Sequence, residues 1–101
     1  MTARRSDVVL EEILGAITLI EQELAGQTRA SFANALFLQR GTERSLEIIS
    51  EAVRHRPDEL LEMRPDISWG DVRAIGNRLR HEYWRVDPAL IWSIAMDDLG
   101  A

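Results

Sequence analysis

Apolar residues recur along this chain at helical spacing. Leu10, Ile13, Ile17, Ile20 and Leu24 are separated by three, four, three and four positions, which aligns them on one helix face and sends Glu12 and Glu23 to the other. Ser6 or Asp7 stands where a cap belongs, and Ala25-Gly26 ends the pattern. A second helical pattern runs from about Thr28 to His55, with Phe32, Leu36, Phe37, Leu46, Ile49 and Val53 as inward positions and Gly41 marking a kink or a break between two helices. Pro57 suits a first turn, so "PDELLEMR" reads as a short helix stopped by Pro65. After the turn "RPDIS", Ser68 caps a helix that runs to Tyr83, with Asp71 as its first-turn acid and Trp69 packing inward. "WRVD" is a loop, and Pro88 opens a last helix through Leu90, Ile91, Ile94 and Leu99 that closes at Gly100. No polar-apolar alternation is long enough to build a sheet, and the chain has no internal repeat. The expected fold is all-α: a single domain over residues 1–101, an antiparallel bundle of four principal helices plus a short helix.

Composition narrows the function classes. A chain of 101 residues buries one core, and at this size a partner subunit adds useful burial. Hydrophobic residues make up 46% and charged residues 29%, values of a soluble globular protein, and no apolar run approaches the roughly 18 residues of a membrane span. "MTARRSDVVLEE" lacks the apolar core of a signal peptide, so the cytoplasm is the expected location. The absence of Cys removes disulfides, thiolate nucleophiles and cysteine zinc sites together. The only histidines, His55 and His81, are 26 positions apart and form no compact metal motif, so neither metal nor cofactor is expected. All 12 basic residues are Arg, a compositional bias that lowers the information in any one of them. A net charge of -5 argues against a whole-surface polyanion binder, so any nucleic-acid contact must be local.

The densest chemistry lies in "IGNRLRHEY". Val72, Gly76, Leu79 and Tyr83 share one face of the expected helix, while Asn77 and His81, four apart, lie side by side on a neighbouring one with Arg73 a turn before them. Arg78 and Arg80 leave the helix elsewhere, yet their long stems can reach a bound phosphate. Imidazole as a class titrates near neutrality, which makes His81 the local proton-transfer candidate. A symmetric dimer joining two copies of this helix would supply a second such group. The plainer account is an ordinary solvated helix face with Tyr83 completing the core. Gly76 divides the same way. A mid-helix glycine costs about 1 kcal/mol relative to Ala, offset either by close approach of a partner helix or nucleotide, or by packing within the protomer.

"ERSLEIISEAVRHRPDEL", "ISWGDVRAIGNRLRHEYWRVDPALIW" and "DDL" closely resemble the HepT-like branch of the HEPN superfamily, ribonuclease toxins paired with minimal nucleotidyltransferase antitoxins. The resemblance spans nearly the whole chain. It implies a helical homodimer whose motif helices meet in one composite cleft for RNA. The family signature is Arg, a polar residue, three further positions, His, any residue, then Tyr. Here Asn77 is the polar residue, His81 the histidine and Tyr83 the tyrosine, while Gly76 stands where the arginine belongs. The resemblance implies metal-independent cleavage with His81 moving protons beside Asn77, and Tyr83 as the hydroxyl to which the antitoxin attaches AMP. Arg73, Arg78 and Arg80 are the RNA-binding candidates for the missing charge, none of them in the family register. Without that arginine the alternative is a weakened or inactive subunit that serves as a binding partner of a nucleotidyltransferase, and arginine restored at Gly76 would then recover activity. The family also commonly continues its last helix beyond the point where this sequence stops, which would leave a slightly shorter bundle or an altered dimer edge.

Overall fold

The first apolar stripe becomes α1 (Ser6–Leu24) in a computed structural model that describes residues 6–54, 57–82 and 86–99. Val9, Ile13, Ile17, Ile20 and Leu24 are buried and Leu10 is half-buried beside them. Ser6 and Asp7 both lie inside the helix, so Asp7 is a first-turn acid favoured by the helix dipole rather than a cap. Gly26 adopts a left-handed φ of 80° just past the helix end, a conformation that costs glycine little.

The second pattern divides, and not at Gly41. It gives α2 (Arg29–Ala33) and α3 (Leu36–Val53), with the break at Asn34 and Ala35. Thr28 opens α2 with a capping box: its hydroxyl accepts from the Ser31 N–H at 3.1 Å, and its own N–H donates to Ser31 Oγ at 2.8 Å. The break restarts the helical phase, so the buried face of α2, marked by Phe32, does not carry over. Phe37 is 94% and Leu36 60% exposed, correcting their inward assignment. Gln39, Thr42 and Glu43 are buried instead, before the apolar positions Leu46, Ile49 and Val53 take over. Gln39 Nε2 donates to the Phe32 carbonyl at 2.8 Å and so binds the two segments together.

The proline-led segment is α4 (Pro57–Met63), and Trp69 opens α5 (Trp69–Glu82) with its indole buried and donating to the Arg64 carbonyl at 2.9 Å. Ser68 immediately precedes α5, and its N–H donates to the Asp98 carbonyl at 2.8 Å. Asp87 caps α6 (Pro88–Asp97), accepting from the Ala89 N–H at 2.9 Å, with Pro88 in the first turn. Because α6 ends at Asp97, Leu99 reaches the core from the segment after the helix rather than from within it.

Central in the packing is α3, set against α1 on one side and α5 on another, with α2 and α6 also in contact. Buried apolar side chains of α1, α2, α3, α5 and α6 form one cluster, and Ile67, Val86 and Leu99 join it from the connections. Phe32 and Trp92 meet with ring centroids 5.4 Å apart, tilted by 47°, fastening α2 to α6. The described residues form six helices and no strand, giving an all-α molecule with α1, α3, α5 and α6 as its longer members. No helix among them is long and apolar enough to cross a membrane. His55 lies outside the described residues.

Candidate functional site

The site begins with how closely α5 lies on α3. Val72, Ile75, Gly76 and Leu79 are the buried face of α5. At Gly76 a Cβ would fall within 3.0 Å of both Oγ and Cβ of Ser50. The Ser50 Cβ is fixed to the α3 backbone and cannot swing aside as the tip of a long side chain would. Ser50 is fully buried, and its hydroxyl has no hydrogen-bond partner among the described residues. Packing within the protomer is therefore what offsets the mid-helix glycine. The restoration of arginine at 76 meets the same wall, since any side chain there must first displace α3.

The other side of α5 faces out. Arg73, Asn77 and His81 are exposed at successive spacings of four, with Arg80 half-buried between this row and α3. Arg80 is the ordered member of the group. Its Nη2 donates to Asn77 Oδ1, and its Nη1 lies 3.8 Å from Glu51 Oε2 on α3. Glu51 also receives Arg54 Nη1 at 3.3 Å, so one carboxylate stands between two guanidinium groups. The His81 side chain has no hydrogen bond among the described residues. Tyr83 lies outside the described residues, as do Trp84 and Arg85.

Arg78 goes elsewhere. It lines a crevice between α5 and α6 with Asp71, Ser93, Asp97 and Asp98. Burial, reinforced by the neighbouring Asp71, raises the Asp98 carboxyl above its ordinary value, while Ser68 pulls it back by a hydrogen bond. A cation beside three acidic residues is poorly placed to attract a polyanion. Sequence reasoning did not single out Ser50 or Glu51. They lie within "ERSLEIISEAVRHRPDEL" but outside the Arg-to-Tyr signature, and only tertiary packing brings them to Gly76 and Arg80. Among the described residues no group of three His, Asp or Glu side chains is arranged to hold a metal ion.

A family model described as "Ribonuclease HepT-like" matches residues 13–101. The chain belongs to the HepT-like ribonuclease family. Among similar curated proteins, one named "Probable ribonuclease HepT" from Thermococcus cleftensis is 31% identical over 90 residues, covering 89% of this chain and 82% of that one. A "Putative RNase" of Caldanaerobacter subterraneus subsp. tengcongensis is likewise 31% identical over 90 residues, covering 89% and 80%. A "Gamma-glutamylcyclotransferase and putative RNase" of Methanocaldococcus jannaschii is 33% identical over 92 residues, 91% of this chain but 41% of its own length, so the chain spans less than half of that relative. No solved structure matches the chain. The exposed face of α5 carries Asn77 and His81, and Gly76 is buried against Ser50.

Proposed function

We propose that this protein is an RNA endonuclease of the HEPN type, acting through the exposed face of α5 in a cleft built from two copies of that helix. The observation that carries the reading is Asn77 with His81, a carboxamide and an imidazole four residues apart on an open helix face in the family's spacing. In the reaction the RNA 2′-hydroxyl attacks the adjacent phosphorus. The 2′-O–P bond forms as the P–O5′ bond breaks, the 2′ proton passes to a base, and the departing 5′ oxygen takes a proton from an acid. His81 is the proton-transfer group, and its copy in the second protomer is the other. Asn77, whose Oδ1 is engaged by Arg80, keeps Nδ2 as a donor for a phosphate oxygen. No metal ion or cofactor takes part. The protein is the toxin of a toxin-antitoxin pair, and a minimal nucleotidyltransferase neutralises it by transferring AMP from ATP to Tyr83. The tyrosine oxygen bonds to the α-phosphorus as pyrophosphate leaves, and the added phosphate repels RNA.

The test is degradation of single-stranded RNA by purified protein in EDTA. His81→Ala is expected to slow it by about a hundredfold or more. Cleavage that persists at the parental rate in that variant would remove His81 from the mechanism.

Gly76 in place of the motif arginine favours a second reading, a weakened subunit whose role is to bind the nucleotidyltransferase. Under it, expression of the chain alone leaves growth and RNA intact while the chain still captures its partner. Growth arrest by the chain alone rejects it.

A further inference from the structure

Gly76 removes the motif arginine from its register, yet a guanidinium lies over the same backbone position. Were Gly76 to carry a Cβ, Arg80 Nη1 would be 3.7 Å from it. A helical side chain leans toward the N-terminus of its helix, so a residue at 80 naturally covers the turn that holds 76 and 77. We propose that Arg80 replaces the missing motif arginine as the group that grips the RNA phosphate beside His81, an inference that rests on the reading of α5 as the RNA site.

Three observations separate Arg80 from the other arginines. It is held at both ends of its fork, by Asn77 Oδ1 on its own helix and by Glu51 Oε2 across on α3, and it is 25% exposed. A guanidinium already confined in this way gives up less freedom on gripping a phosphate than a free one does. Its contact to Glu51, at 3.8 Å, is loose enough for a phosphate oxygen to compete with it. Arg73 is exposed, with no such tether among the described residues, and Arg78 faces the carboxylates of the α5–α6 crevice. Arg54 shares Glu51 but belongs to the C-terminal cap of α3 rather than to α5, which carries His81.

The glycine and the arginine are parts of one arrangement. Since Gly76 has no side chain, α3 settles against α5 through Ser50, and the next residue, Glu51, reaches Arg80. The glycine that stands where the signature has arginine thus also allows the contact that positions Arg80. Arg80 meets phosphate through charge-assisted N–H donors in a planar fork, a geometry that a lysine ammonium does not reproduce.

The experiment uses the full chain and two readouts. Binding is measured with a single-stranded 2′-O-methyl RNA oligonucleotide, which has no free 2′-hydroxyl to attack, and cleavage with the unmodified oligonucleotide. Arg80→Ala is expected to weaken binding about tenfold and lower kcat by about a hundredfold. Arg80→Lys should recover binding in part but little of kcat, and both variants should melt with the parent. Arg64→Ala, the same charge change before the far end of α5, is the control. An Arg80→Ala protein that binds and cleaves like the Arg64→Ala control overturns the inference while the nuclease reading stands. A parent that binds but never cleaves defeats the nuclease reading, and a binding loss confined to the Arg80 variants then still upholds the inference. A parent that does neither overturns both.

Discussion

At Gly76 two effects of opposite sign compete, and their sizes decide the outcome. Alanine in a helix interior gains about 1 kcal/mol over glycine, whereas overpacking a tight contact costs about 1–3 kcal/mol. Because the Ser50 Cβ in the way is anchored to the α3 backbone, the packing cost wins. Gly76→Ala is expected to lower stability in urea unfolding, with Gly76→Arg worse. Ser50→Gly combined with Gly76→Ala should be more stable than Gly76→Ala alone, since the clashing atoms are gone. If the two changes simply add, the contact is not the cause. The buried Ser50 hydroxyl forms no hydrogen bond among the described residues, so Ser50→Ala should be neutral or stabilising. The row of Asn77 and His81 could be read from spacing alone, because four residues place side chains next to each other on any helix. The role of Gly76 could not, because its partner lies 26 positions earlier and nothing in "IISEAV" marks Ser50 as the point of contact.

At the level of elements, a stripe is legible where one helix keeps one phase. The α1 stripe buried four of its five expected members fully, with Leu10 half-buried. Across Asn34 and Ala35 that logic failed, because a two-residue break rotates everything after it. The first turns of α3 then bury Gln39, Thr42 and Glu43, residue types that a hydrophobic pattern assigns to solvent. Each can be buried because it has a local partner. Thr42 Oγ1 donates to the Leu38 carbonyl at 2.9 Å, and Arg40 Nη1 reaches both Glu43 oxygens at 3.1 Å. Burial still raises the Glu43 carboxyl, more than Arg40 lowers it. The two phenylalanines therefore differ sharply. Phe32→Ala is expected to cost about 3–5 kcal/mol, and Phe37→Ser to stay within about 0.5 kcal/mol, in chemical denaturation of dilute protein. A large loss at Phe37 would mean that something covers it in solution.

Over the whole molecule, an excess of acid leaves its mark where helix ends meet. The crevice of Asp71, Asp97 and Asp98 between α5 and α6 carries the clearest consequence for pH. The folded state holds the Asp98 carboxyl above its ordinary 3.8, so its contribution to stability is complete below that value and is lost as pH rises through the folded one. Asp98→Asn should therefore raise the melting temperature at neutral pH, with the gain fading in acid. A gain that is the same at both pH values would point to packing rather than charge. The meeting of α3 and α5 has a consequence of another kind, for the order in which this sequence can change. A chain with Ser50 that takes arginine at 76 in one step is expected to lose stability, because that form is overpacked. Position 50 must shrink first, and that step alone forfeits packing without restoring the motif. The glycine thus acts as a ratchet, and selection for stronger activity should recover changes at position 50 before any at 76.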